Sequence, residues 1–236
     1  MTIKEKLEQL KKKNEKALAM FATAGDPDRQ SSLEVFRAAA ENGADILEIG
    51  IPYSDPLMDG PVLQASYQRA LGAGFRLKNF PAFIESVSSA TSVPSLVMTC
   101  WNPVYKYGAM RFFRDISSAG SDAVLLTDLP PEEWGESMNM ARQFGLGTIF
   151  LVAPTTPPER MSVIEELSDP FVYCVSKIGV TGSEDQKDGL PESVREYVSR
   201  VRAALTKPVL VGFGISTPKD AAMAGKVADG VVVGSA

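Results

Sequence analysis

Residues 31–50, SSLEVFRAAAENGADILEIG, read as one complete helix-to-strand unit, and most of the chain repeats it. Leu33, Phe36 and Ala40 recur at the spacing of a single helical face across residues 31–42. Gly43 follows as the stop, because glycine takes the left-handed conformation that ends helices. Residues 46–50 are then an apolar run of strand length, broken by one charge, Glu48.

Upstream, Thr2 and Glu5 have the spacing of a capping box, and Ile3, Leu7 and Leu10 form one apolar stripe. A short amphipathic helix therefore precedes a first strand at residues 18–23. Downstream, helices are predicted near 62–71 and 79–90, then a strand at 94–99. A helix at 109–119 is ended by Gly120, and a strand at 123–127 leads to a helix at 131–144. The pattern continues with a strand at 148–153, a helix at 158–167, a strand at 171–176 and a helix at 191–205. A strand at 208–212, a helix capped by Thr217 and begun by Pro218, and a strand at 230–233 complete it. Eight short strands, seven of them followed by a helix, require a parallel sheet. Eight such units in 236 residues predict an α/β fold, a closed (β/α)8 TIM barrel with an extra N-terminal helix. No linker or low-complexity stretch interrupts the pattern, so a single barrel domain over residues 1–236 is expected. Its active site belongs on the loops that follow the strand C-termini.

The 44% of apolar residues suffices for a large core. Lys and Arg total 24 against 29 Asp and Glu, a formal charge of −5, which gives no attraction to nucleic acid or anionic membrane. No apolar run is long enough to span a bilayer. The two cysteines, Cys100 and Cys174, stand in apolar contexts with no disulfide framework, so a reducing cytoplasm is expected. The chain has no histidine. Ser-His-Asp and Cys-His catalysis and histidine-ligated metals are thereby excluded, and acid–base work falls to carboxylates, Tyr, Lys or Cys.

Glu48 is the first candidate. A parallel barrel strand is buried on both faces, and an ionised carboxylate there is costly unless paired or working. Burial raises its pKa toward the range useful for proton transfer at neutral pH. The competing reading is a structural Glu bonded to a neighbouring strand. The following loop, rich in Pro and Gly, carries Asp55 and Asp59, which are either site residues or turn and cap residues. Small residues also cluster after three late strands, at residues 179–182, 212–216 and 234–235. Barrel phosphate sites recur at this place, where backbone N–H groups converge on an anion. The polar, glycine-rich stretch 179–189 is expected to be a mobile lid.

Together these stretches resemble the tryptophan synthase α-subunit family along essentially the whole chain. The likeness rests on Phe21-Ala22-Thr23-Ala24-Gly25-Asp26-Pro27 and on residues 47–61, LEIGIPYSDPLMDGP. It extends to Asn102-Pro103 with Tyr107-Gly108, Asp128-Leu129-Pro130, Ala153-Pro154-Thr155-Thr156, and residues 176–182 and 212–216. The string over residues 47–61 is its most specific part. The resemblance implies retro-aldol cleavage of indole-3-glycerol phosphate to indole and glyceraldehyde 3-phosphate, in tryptophan biosynthesis. It implies that Glu48 is the acid–base residue and that Asp59 accepts a hydrogen bond from the indole N–H. Phe21 and Tyr173 match walls of the substrate pocket, and Thr181 a lid residue that meets Asp59 on closure. Gly182, Gly214, Gly234 and Ser235 match phosphate-binding positions. The family further implies a β subunit carrying pyridoxal phosphate, an α2β2 assembly, and contact through residues 52–59 and the Asn102 region. No cofactor is expected on this chain.

Two positions depart from the family pattern. Cys100-Trp101 stands where Tyr-Tyr or Tyr-Ala is common, so a roomier pocket is expected beside Cys100. Met58 replaces a usual Ala in the Asp59 loop. The sequence stops at Ala236, directly after Gly234-Ser235, whereas the family continues into a final helix. The expectation is a truncated chain with weaker phosphate binding and lower stability, whose melting temperature a restored helix raises. Three other readings compete: a Schiff-base aldolase using Lys177, which lies past the apolar strand and reads as a lid lysine facing solvent; a non-catalytic activator of the β subunit, against which the intact Glu48 and Asp59 argue; and a phosphosugar isomerase barrel, which lacks its histidine.

Overall fold

Every strand pairing in the barrel wall is parallel. The computed structural model describes residues 1–57, 59–175, 191–212, 214–215 and 217–234. Its strands are β1 (Ala17–Thr23), β2 (Ile46–Gly50), β3 (Ser95–Thr99), β4 (Ala123–Leu126), β5 (Gly147–Ile149), β6 (Leu151–Val152), β7 (Val172–Val175), β8 (Val209–Gly212) and β9 (Gly230–Val233). Their order in the sheet is β5-β4-β3-β2-β1-β9-β8-β7-β6. β5 and β6 are two halves of one run separated only by Phe150, so the first and last strands of the sheet are the same stretch of chain and the barrel closes. Phe150 remains in the wall, its carbonyl accepting from the Tyr173 N–H at 3.0 Å. The eight-stranded barrel that the alternation predicts is the fold observed.

The helices are α1 (Ile3–Lys13), α2 (Arg29–Glu41), α3 (Pro61–Gly72), α4 (Phe80–Ala90), α5 (Trp101–Tyr107), α6 (Ala109–Ser118), α7 (Glu136–Gln143), α8 (Pro158–Leu167), α9 (Glu192–Ala204) and α10 (Pro218–Gly225). Both faces of the wall are buried, and the side-chain period of two sorts them into two layers. Ala19, Phe21, Ile46, Leu96, Met98, Leu125, Ile149, Tyr173, Leu210 and Val232 pack inside the barrel. Leu47, Ile49, Val97, Val124, Val172, Cys174, Val209 and Val211 point outward against Phe36, Phe83, Phe112, Phe113 and Trp134. Ile46 is inside while Leu47 and Ile49 are outside, so Glu48 is directed into the barrel.

Helix α1 closes the N-terminal end of the strands. Its Ile3, Leu7 and Leu10 join the inner layer, and Lys6 pairs at 3.4 Å with Asp45, the residue just before β2. The capping box is complete: the Glu5 N–H donates to Thr2 Oγ1 at 3.2 Å, and the Thr2 N–H donates to Glu5 Oε2 at 2.7 Å. Thr2→Ala is expected to lower stability by about 1 kcal/mol in urea denaturation. Activity should not change, because the active site of such a barrel lies at the opposite end.

Two elements differ from expectation. The helix predicted over residues 131–144 is a 3-10 turn (Pro131–Glu133) followed by α7, divided at Gly135, whose φ is +46°. The Trp134 ring accounts for the break. It is buried, stacks on Phe113 with centroids 6.1 Å apart, and its indole N–H reaches the Leu129 carbonyl at 3.3 Å. Helix α5 had no counterpart in the sequence reading. Pro103 sits in its first turn, where a missing N–H costs nothing, and Asp128 Oδ1 accepts from the Trp101 N–H at 2.7 Å.

Candidate active site

Glu48 is the one charged side chain among the inward positions of β2. Its register partners are Phe21 on β1 and Leu96 on β3, both apolar. Only 1% of the residue is exposed, and Oε1 is buried with no hydrogen-bond partner among the described residues. A structural Glu tied to a neighbouring strand would have that oxygen satisfied, so the geometry disfavours the structural reading. Loss of hydration pushes the carboxyl up to about 8. At neutral pH it is largely a protonated acid.

Aromatic groups line this carboxyl. Gly50 lies two residues further along the same face, and a Cβ there would stand 2.5 Å from the Phe21 ring. A Cβ at Gly234 would come within 3.5 Å of Phe21. The Phe21 ring therefore lies on the mouth side of Glu48, between the ends of β2 and β9. Tyr173, on the far wall, is also inward and buried, and burial, with the Glu48 carboxyl nearby, pushes its phenol well above the ordinary range. A Cβ at Gly212 would be 2.1 Å from the Tyr173 hydroxyl, so that hydroxyl rests on the bare backbone of β8.

The loop after β2 brings in Asp59. Gln64 on α3 braces it, its side-chain amide donating to the Asp59 carbonyl at 2.8 Å and the Pro56 carbonyl at 3.3 Å, while the Asp59 N–H reaches the Pro56 carbonyl at 3.1 Å. Asp59 is 7% exposed, and burial raises its pKa against the opposing effect of a 2.7 Å hydrogen bond from the Tyr53 hydroxyl to Oδ2. Asp55 differs: it is exposed and takes a 2.5 Å hydrogen bond from its neighbour Ser54, as a loop residue does. Tyr67 on α3 lies near both buried carboxylates. Its hydroxyl is buried without a partner among the described residues, and its phenol is pushed up by burial first and by the nearby Asp59 and Glu48 carboxyls.

Tyr53 and Tyr67 are the residues that the sequence reading missed. Tyr53 lay inside the most specific string, and Tyr67 lay within a correctly predicted helix. Cys100 is buried, with its thiol beside the Tyr53 hydroxyl and raised to about 11 by burial and the Asp128 charge. The room expected there is thus partly occupied by Tyr53. Gly214 follows β8 with φ +80°, and Gly234 follows the adjacent β9 and is exposed. Thr181, Gly182, Ser235, Met58, Lys177 and the lid expected over residues 179–189 lie outside the described residues. Among the described residues no three His, Cys, Asp or Glu side chains gather as metal ligands would, and no helix is long and apolar enough to cross a membrane.

The model of the family described as tryptophan synthase alpha chain matches residues 7–236. The chain belongs to the tryptophan synthase alpha chain family. It is 46% identical to the alpha chain of Desulfatibacillum aliphaticivorans over 235 residues, covering 99% of this chain and 87% of that relative. It is 46% identical to that of Geobacter sulfurreducens, covering 97% of this chain and 85% of that one. The structure of Mycobacterium tuberculosis tryptophan synthase superposes with a TM-score of 0.89 at 38% identity, over 99% of this chain and 88% of that one. The chain is a lyase of the tryptophan synthase alpha type, acting in tryptophan biosynthesis, as the string over residues 47–61 implied.

Proposed function

We propose that Glu48 and Asp59 carry the cleavage of indole-3-glycerol phosphate within the barrel mouth, and that the chain works in the cytoplasm against a β subunit. The observation that supports the first part is Glu48 itself: an inward, largely protonated carboxyl in an apolar barrel, its Oε1 without a partner among the described residues. As an acid it gives its proton to indole C3. The ring then becomes an electron sink, the bond from C3 to the glycerol carbon breaks, and its electron pair returns to the ring as indole. The hydroxyl on that carbon loses its proton as the aldehyde of glyceraldehyde 3-phosphate forms. Glu48, now a carboxylate, takes that proton, directly or by relay, and the cycle closes with no net proton exchange. Asp59 accepts from the indole N–H, where positive charge exists only during reaction, so its stabilisation is spent on the transition state. Phe21 and Tyr173 form the walls that exclude water. Gly214 and Gly234, with Thr181, Gly182 and Ser235, are assigned to the lid and phosphate end.

The partner reading is supported by an apolar rim. Leu57, in the loop that carries Asp59, is 87% exposed, and Tyr105 on α5 is 70% exposed. Val62 and Met110 on neighbouring helices are exposed as well. Apolar side chains displayed beside a site mark an interaction surface, and Leu57 and Tyr105 fall on the segments assigned to the β subunit in an α2β2 assembly.

Indole release from indole-3-glycerol phosphate, measured with and without a β subunit, tests both parts. The expected result is slow release by the chain alone and a faster rate with the β subunit, diminished by Leu57→Asp only when the partner is present. Release that does not respond to the partner would remove the interface assignment and leave the lyase assignment standing.

A further inference from the structure

The roles above leave Tyr53 unused, yet Tyr53 holds the side chain of Asp59. The backbone of Asp59 is fixed by Pro56 and Gln64, but those contacts do not orient its carboxylate. The 2.7 Å bond from the Tyr53 hydroxyl to Oδ2 does. Tyr53 is itself held firmly. It follows the buried Ile51-Pro52, its ring packs on Tyr67 with centroids 5.2 Å apart, and its hydroxyl lies beside the Cys100 thiol. A phenylalanine would give the same ring packing, so the hydroxyl's distinct contribution is made at Asp59. A phenol has only two side-chain torsions, and fixing them orients the group it bonds at little further entropic cost.

We propose that Tyr53 is a positioning residue for the lyase reaction, its hydroxyl fixing the Asp59 carboxylate in the orientation that receives the indole N–H. This rests on the role assigned to Asp59 under Proposed function. The bond engages Oδ2 and directs Oδ1 to the substrate. It also favours the ionised form of Asp59, the form that can stabilise a cationic ring, against the burial that opposes it. The other titratable groups around the pair are Tyr67 on α3 and Cys100 at the start of α5, with Glu48 on β2 beyond Tyr67.

The test compares Tyr53→Phe, Asp59→Asn and the double variant, using indole-3-glycerol phosphate and sensitive indole detection. In Tyr53→Phe, kcat should fall about tenfold, the loss of one hydrogen bond to a charged group. KM should stay within about twofold, because the bond acts on charge that appears only in the transition state. The acid limb of the kcat–pH profile should move to higher pH, since loss of the donor raises the Asp59 pKa. The tyrosine change should cost nothing further on the Asp59→Asn background. A Tyr53→Phe enzyme with unchanged kcat and acid limb, beside an impaired Asp59→Asn enzyme, would overturn the proposal and leave the site reading intact. A loss confined to KM, or one additive with Asp59→Asn, would overturn it equally. An Asp59→Asn enzyme with undiminished rate would remove the role of Asp59 and this inference with it.

Discussion

Glu48→Gln is expected to lower kcat for indole formation by about 10³-fold, within the range for loss of a general acid–base group. The amide has nearly the shape of the carboxylic acid, so binding walls and fold should persist. It can neither give a proton to indole C3 nor take one from the glycerol hydroxyl. The same change should stabilise the protein at alkaline pH. The folded-state pKa of Glu48 is about 8 against an ordinary 4.5, so the folded protein holds a proton that the unfolded chain has released between those values. Stability from this group is therefore complete below about pH 4.5 and is lost as pH rises through about 8. The glutamine variant has no such loss. Its stability relative to the parent should grow from pH 5 to pH 9, read as a widening difference in urea midpoints. In the parent, kcat should decline above about pH 8 as the acid ionises. Equal stability of the two proteins across that range, or a glutamine variant with near-parental kcat, would show that Glu48 is neither strained by burial nor the proton carrier. A group kept for catalysis at a cost in stability gives this opposed pair of results.

The strand and helix order was legible because each unit carries its own local pattern. Position 48 was legible too, since one charge in an apolar run marks a special place, but its direction into the barrel came only with the observed layering. The features that escaped the reading depend on partners distant in sequence. Asp128 caps α5 from another strand's loop, twenty-seven residues away. Trp134 breaks a helix because Phe113 and the Leu129 carbonyl hold its ring. Tyr53 and Tyr67 gain meaning only when folding sets one beside Asp59 and the other within the field of two carboxylates. Local propensity does not encode such meetings. The string over residues 47–61 was specific enough to identify the family while leaving the work of its tyrosine unread.

Gly212→Ala carries the second large expected effect, from one methyl group. Gly212 ends β8 on the inward face, and its added Cβ would stand 2.1 Å from the Tyr173 hydroxyl and 2.5 Å from the ring carbon bearing it. Tyr173 cannot yield easily. It is buried, and it is held in the inner layer with Phe21, Leu210 and Ile149. The ring must leave its seat or β8 must shift, and overpacking of this kind costs about 1–3 kcal/mol. The functional cost should be larger than the fall in stability suggests. Tyr173 lies within reach of the Glu48 charge, and Gly214 is two residues past Gly212, so either accommodation displaces a wall of the acid's pocket or the loop assigned to phosphate. A displacement near 1 Å can cost about 10²-fold in rate, and kcat/KM should fall by about that factor. Shortening the obstructing side chain should recover the stability: Gly212→Ala combined with Tyr173→Leu removes the hydroxyl oxygen and the ring carbons, at 2.1, 2.5 and 2.6 Å, that meet the new methyl. A double variant whose melting temperature recovers relative to Gly212→Ala would assign the glycine to the space that the tyrosine ring and hydroxyl require. If Gly212→Ala alone has parental stability and rate, the hydroxyl is not seated on β8, and Tyr173 loses its place as a rigid wall beside Glu48.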